Sequence, residues 1–192
     1  LIFFSIKKII ILTITALLIT INWTGFIFAV SINRVQDASM GYYFTPIISI
    51  ALGYFFLNEK ISFFKAISIL MMIGSVIFLM FSIRTLPILA IVIGSSWGIY
   101  GLLRKQINVS PEIGLLYESF FISIFAIPYL FYINSIGSGY FITQGIKISF
   151  LIMLAGAVTA FPLFFFNKGV KFVPLGFAGV IFFLAPSLHF FT

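Results

Sequence analysis

Cysteine is absent from the 192 residues, which removes disulfides, thiolate metal sites and cysteine nucleophiles together. Histidine occurs once, as His189, so there is no His/Cys cluster from which a zinc site could be built. Charge is scarce: 8% of residues carry it, with four acidic against 11 basic. Soluble domains devote about a quarter of their residues to charge. A chain this short in water cannot hide an apolar fraction of 62%. It therefore reads as an integral membrane protein. The net charge of +7 is dispersed over short gaps between apolar runs, which speaks for topology and not for a nucleic-acid partner. No phosphate-binding glycine loop is present, so neither ATP drive nor any other cofactor is implied.

What the chain has instead is long apolar runs. A helix needs about 20 apolar residues to cross the hydrocarbon, and seven stretches reach or approach that: 9–31, 38–57, 66–82, 86–103, 113–132, 148–166 and 173–192. None alternates polar and apolar residues as barrel strands do, and helices satisfy their own backbone in lipid. The expected fold is an all-α bundle of about seven transmembrane helices. With the sides numbered alternately, Lys7, Lys8, Lys60, Lys65, Arg104, Lys105, Lys168 and Lys171 share one side, and Arg34, Arg84 and Lys147 the other. By the positive-inside rule the richer side is cytoplasmic. Ser110, Pro111 and Glu112 form a helix start, and Pro87 and Pro174 open two further runs. Pro46, Pro128, Pro162 and Pro186 lie inside runs, where each frees a carbonyl. Leu1 at the start and an apolar run reaching Thr192 lead us to expect a piece of a longer chain.

The hairpins 9–57 and 148–192 each carry a basic turn. The second helix of each has glycine, aromatics, then proline: "GYYFTP" and "GVIFFLAP". They stand five spans apart, an odd number, so the copies cross in opposite senses, as inverted transporter repeats do.

Seven stretches, in order, carry a family resemblance: "NWTGFIFAV" (22–30), "DASMGYYFTP" (37–46), "LGYFFLNEK" (52–60), "LPILAIVIGSSWGIYGLLRK" (86–105), "GLLYE" (114–118), "AVTAFPLFFF" (157–166) and "PLGFAGVIFFLAPSLHFF" (174–191). This set resembles the RarD-type, chloramphenicol-sensitivity branch of the EamA drug/metabolite transporters. The resemblance implies ten helices in two inverted five-helix repeats with both termini cytoplasmic. This chain would supply helices three to nine, with 1–82 in the first repeat and 83–192 in the second. It departs from the family pattern at Asp37 (Glu expected), Thr45 (Asn), Phe182 (Gln) and His189 (Gln).

Glu118 is the carboxylate set deepest in a run, about 10–12 Å past its helix start. An ionised acid facing lipid there costs at least about 2.5–3.5 kcal/mol. It should therefore face protein, with Arg104 or Lys105 as the nearest basic partners. It reads either as a proton or substrate-amine acceptor or as a structural tether. Trp23 and Trp97 sit mid-run, away from the interfacial belt where Trp usually lies. With Tyr42, Tyr43 and Tyr100 they are candidates to line a substrate path, against plain helix packing. Thr45, Thr159 and Asn167 either bind substrate or cap the carbonyls freed by Pro46 and Pro162. His189 is a candidate proton relay beside Pro186. Gly94 and Gly98, and likewise Gly156 with Ala160, let helix backbones approach.

These features favour a secondary transporter of a small organic solute, possible proton coupling included, in the plasma membrane and not an enzyme. Two rivals stand beside it. An intramembrane serine protease would pair Ser95 or Ser96 with His189, but Trp97 occupies the position of the second glycine in its motif. A seven-helix receptor built on a retinal Schiff base needs a lysine within a helix, and here every lysine lies at a run's edge or in a loop. Oligomeric state and substrate identity are not encoded in any of these patterns.

Overall fold

The computed structural model describes residues 5–83, 88–141 and 143–182. Each of the seven apolar runs contains a helix among the described residues: α1 (Ile6–Ser31), α2 (Val35–Leu57), α3 (Phe63–Ile83), α4 (Ile88–Gln106), α5 (Pro111–Ser135), α6 (Ile146–Gly169) and α7 (Leu175–Ile181). Five of them, α1, α2, α4, α5 and α6, are long and apolar enough to cross a membrane among the described residues. The chain is a multi-helix membrane protein. Several helices start earlier than the apolar runs, with Lys7, Lys8, Lys65 and Lys147 inside their first turns. The hydrocarbon boundary limits hydrophobicity, whereas the backbone ladder continues into the headgroup layer, where lysine stems snorkel.

Helix ends follow local chemistry. Ser110 is extended and its hydroxyl accepts from the Ile113 N–H, with Pro111 opening α5, as its sequence motif implies. Asn33 and Asn58 adopt left-handed conformations (φ 58° and 54°), which Asn tolerates better than most residues. After Asn33 the Arg34 N–H returns to the Ala29 carbonyl, and after Asn58 the Glu59 N–H returns to that of Gly53. Such closures use carbonyls that a helix end leaves unpaired. The second turns the chain so that Glu59 folds back along α2.

The helices fall into two compact units. One comprises residues 1–16 and 108–169, which holds the first part of α1 with α5 and α6, and here α5 packs on α6. The other comprises residues 17–107 and 170–192, in which α2 is central and packs on α4, α7 and α3. In the α2–α4 seam a Cβ on Gly94 would lie 2.7 Å from the Phe44 Cβ and 3.0 Å from the Gly41 carbonyl oxygen. Gly98 is similarly close to Ile48. Gly94 and Gly98 thus serve as the close-approach pair their spacing implies. The parallel reading of Gly156 is not met: among the described residues nothing lies within 4 Å of where its Cβ would be.

Candidate functional site

In the larger unit, aromatic rings from three helices and from the residue after α7 form a connected series. Phe26 on α1 meets Tyr42 on α2 edge-on at 6.1 Å. Tyr42 stacks at 6.5 Å on Phe182, just after α7. Phe182 meets Trp97 on α4 at 5.0 Å, and Trp97 lies 5.7 Å from Tyr100. Each separation falls in the range where ring quadrupoles attract. Trp97 and Tyr100, both singled out by sequence, are thereby brought together. Tyr100 is fully buried.

A polar cluster lies in the same unit. Asn22 Nδ2 donates to the Ile93 carbonyl (2.7 Å) and to Ser96 Oγ (3.3 Å), and Ser96 Oγ donates to the same carbonyl (3.0 Å). All are mid-helix groups away from water, so mutual satisfaction is required of them. Asn22 was not a candidate from sequence, although it opens the "NWTG" stretch.

Other expected site residues are placed individually. Thr45 is buried where α2 faces Gly94, and Pro46 is buried beside Gly179 of α7. Tyr43 is half-buried. Trp23 is 38% exposed, so this chain covers only part of its ring. Thr159 and Pro162 lie on the uncovered surface of α6. The capping expectation needs correction in detail. Thr45 Oγ1 bonds the Gly41 carbonyl and Thr159 Oγ1 that of Ala155, each four residues back. The carbonyls that Pro46 and Pro162 free are those of Tyr42 and Val158, one and three residues further on. A threonine hydroxyl reaches its own i−4 carbonyl most easily, and that local preference wins. His189 and Pro186 lie outside the described residues, as do Arg84 and Pro87.

In the smaller unit, Glu118 is only 3% exposed, so protein shelters it, as the cost of an acid in hydrocarbon requires. Thr15 Oγ1, itself buried, donates to Oε1 at 2.6 Å, a charge-assisted bond by its length. Between the neighbouring residues Thr13 and Tyr117, the two hydroxyls are 2.9 Å apart. The threonine partners are a finding of the structure: a contact over 103 positions leaves no local trace.

Lys105, expected near Glu118, is engaged elsewhere. Its Nζ donates to the carbonyls of Val170 (3.1 Å) and Val173 and lies 3.9 Å from Glu59 Oε1. Glu59 in turn accepts from the Leu175 N–H (2.6 Å) and the Gly176 N–H (3.4 Å). These are the first amides of α7, where a helix presents unpaired donors and positive dipole charge. One lysine and one acid thus join the α2–α3 turn, the end of α4 and the start of α7. Glu59 was not a candidate from sequence, because an acid beside a loop lysine, here Lys60, looks like a solvated charge. Its partners, the first amides of α7, lie 116 positions or more away in sequence, so no local signal marked it. No group of three or more metal-ligating side chains occurs among the described residues.

No family model matches the chain, and no solved structure matches it. Among curated proteins, Uncharacterized transporter YojE of Bacillus subtilis (strain 168) is 34% identical over 190 residues, covering 96% of this chain and 62% of that protein. Protein RarD of Escherichia coli (strain K12) is 32% identical over 184 residues, again 96% of this chain and 62% of the relative. A Vibrio cholerae protein named Uncharacterized transporter is 32% identical over 184 residues, 96% and 61%. The chain thus spans about 62% of the length of the first of these curated relatives.

Proposed function

Since this chain belongs to the RarD-type family, we propose that it works as a secondary transporter of a small organic metabolite or drug-like solute. Its mechanism is alternating access between two inverted repeats, with residues 1–82 in one and 83–192 in the other. The single observation that carries this reading is identity at 32–34% to proteins named as transporters along 96% of the chain. The Lys/Arg-rich turns face the cytoplasm of a plasma membrane.

In this reading, the half-buried ring of Trp97, backed by the buried Tyr100, is the surface an apolar or aromatic solute meets, because ring faces bind flat ligands without demanding one orientation. Thr45, Tyr43 and Trp23 of the same unit are further contacts along the path, and Pro46 is its helix break. Glu118 is the coupling acid. Its Thr15 hydrogen bond supports such a role, since a hydroxyl donates to the carboxylate and can turn its lone pairs to a carboxylic acid proton.

The test is uptake of a solute panel by the full-length protein in proteoliposomes, with and without a pH gradient. Glu118→Gln keeps the shape and removes the charge. The expected result is loss of gradient-driven uptake by about a hundredfold or more, the scale of losing one group in a proton-transfer step, with normal abundance in the membrane. Lost abundance with normal uptake per molecule would make Glu118 a tether. No uptake of any solute by the unaltered protein would overturn transport itself.

A further inference from the structure

A groove of about 480 Å³ opens in the larger unit. Its sides are apolar: Ile50 from α2, Phe64 and Met72 from α3, and Phe177 and Val180 from α7. Phe64 and Phe177 are 79% and 56% exposed, so the described residues leave the groove unfilled. Its charged lining is confined to one end. Glu59, Lys60 and Lys65 come from the α2–α3 turn and the first turn of α3. The start of α7 lies at the same end, because Glu59 bonds its first amides.

The acid does not cancel the lysines. Glu59 is committed to the Leu175 and Gly176 N–H groups, with Lys105 at 3.9 Å. Lys60 and Lys65 are exposed, and among the described residues neither makes an ion pair. The groove thus presents two uncompensated positive charges at one end. An apolar channel follows for the seven residues from Lys65 to Met72, about 10 Å of helix. An occupant of complementary chemistry has an anionic head and a hydrocarbon tail. Basic pockets between helices on the cytoplasmic side suit anionic lipid headgroups.

We propose that this groove is a binding site for an anionic phospholipid, its phosphate held by Lys60 and Lys65 and one acyl chain lying along Phe64, Met72, Phe177 and Val180. A lipid there rests on α3 and α7 together and covers apolar side chains that no other described helix covers. The proposal concerns a site apart from the solute path and does not need transport to be read.

The experiment is native mass spectrometry of the full-length protein released from mixed micelles holding equal phosphatidylglycerol and phosphatidylcholine. The expected result is preferential retention of phosphatidylglycerol. Lys60→Gln with Lys65→Gln lowers that retention by about 30-fold, from the usual effect of each lysine near an anionic surface. Lys60→Arg with Lys65→Arg preserves it and shows that the site still folds. Lys7→Gln with Lys8→Gln leaves it unchanged. Equal loss in the Lys7/Lys8 pair, or no preference in the unaltered protein, overturns the proposal. So does photo-crosslinking from a benzophenone side chain at position 72 that captures peptide from the same protein instead of lipid, because a protein segment then fills the groove.

Discussion

Helices α4 and α6 differ in a way that inverts the rule for soluble proteins. Half of α4's membrane-length stretch is buried by its neighbours, against 6% for α6. Yet α6 is the more apolar of the two, and α4 carries the serines and three closely spaced glycines. In water the apolar helix goes inside. In a bilayer lipid tails are as apolar as leucine, so burial is driven by close packing and polar pairing instead. Gly94 and Gly98 let α4 approach α2, and Ser96 bonds Asn22 on α1. The face of α6 that the described residues leave open holds Phe161, Val158 and Met153, with Gly156 and Thr159 among them, and neither Gly156 nor Thr159 meets another helix there.

The largest expected effect separates the two helices directly. Gly94→Leu drives a side chain into the Phe44 Cβ and the Gly41 backbone, where no rotamer change makes room. Overpacking typically costs about 1–3 kcal/mol, more where backbone must move, so the variant should lose most of its folded yield in detergent. Gly156→Leu meets nothing within 4 Å among the described residues and should behave like the parent within about 0.5 kcal/mol. Fluorescence-detected size exclusion after graded heating compares the pair. Equal damage would mean that α6 is covered by protein and the contrast fails.

This pair also marks what was legible beforehand. Seven helices, the Ser110–Pro111 start and the small-residue seam at Gly94 and Gly98 follow from run length, cap chemistry and spacing, all of them local. Gly156 carries the same local pattern as Gly94, and only the neighbour decides whether it is a seam. The partners of charged groups were hidden for the same reason. Glu118 was expected to be sheltered and is, but Thr15 beside it, and Glu59 beside Lys105, are meetings of distant segments. Single-sequence periodicity records which residues share a face, not which face opposes it.

Of middle size is the effect of Glu59. Glu59→Ala removes the acceptor for two amides of α7 and the counter-charge of Lys105. Bonds to a charged acceptor contribute about 1.5–3 kcal/mol, so the unfolding midpoint should fall measurably. Glu59→Gln retains an acceptor oxygen and should fall less. Gly53→Ala tests the same geometry from the other side, because a Cβ there would stand 2.6 Å from Glu59 Oε2 and displace the carboxylate. If Glu59→Ala and the parent melt together, the start of α7 is held by Lys105 on the Val170 and Val173 carbonyls without help from Glu59.

The smallest expected effect returns to α6. Thr159 lies uncovered by the described residues, and its hydroxyl bonds the Ala155 carbonyl of its own helix. That bond adds to a carbonyl already in the helical ladder. Thr159→Val keeps the shape, removes the hydroxyl and should change stability by less than about 0.5 kcal/mol. Thr15→Val makes the same replacement at a threonine buried against Glu118 and should cost about 1–3 kcal/mol, since it strips a buried carboxylate of a donor. Melting the two variants side by side asks whether a hydroxyl matters by chemistry or by place. A destabilised Thr159→Val would show that α6 presents its threonine to a partner and not to lipid, which would bring the substrate reading of that residue forward.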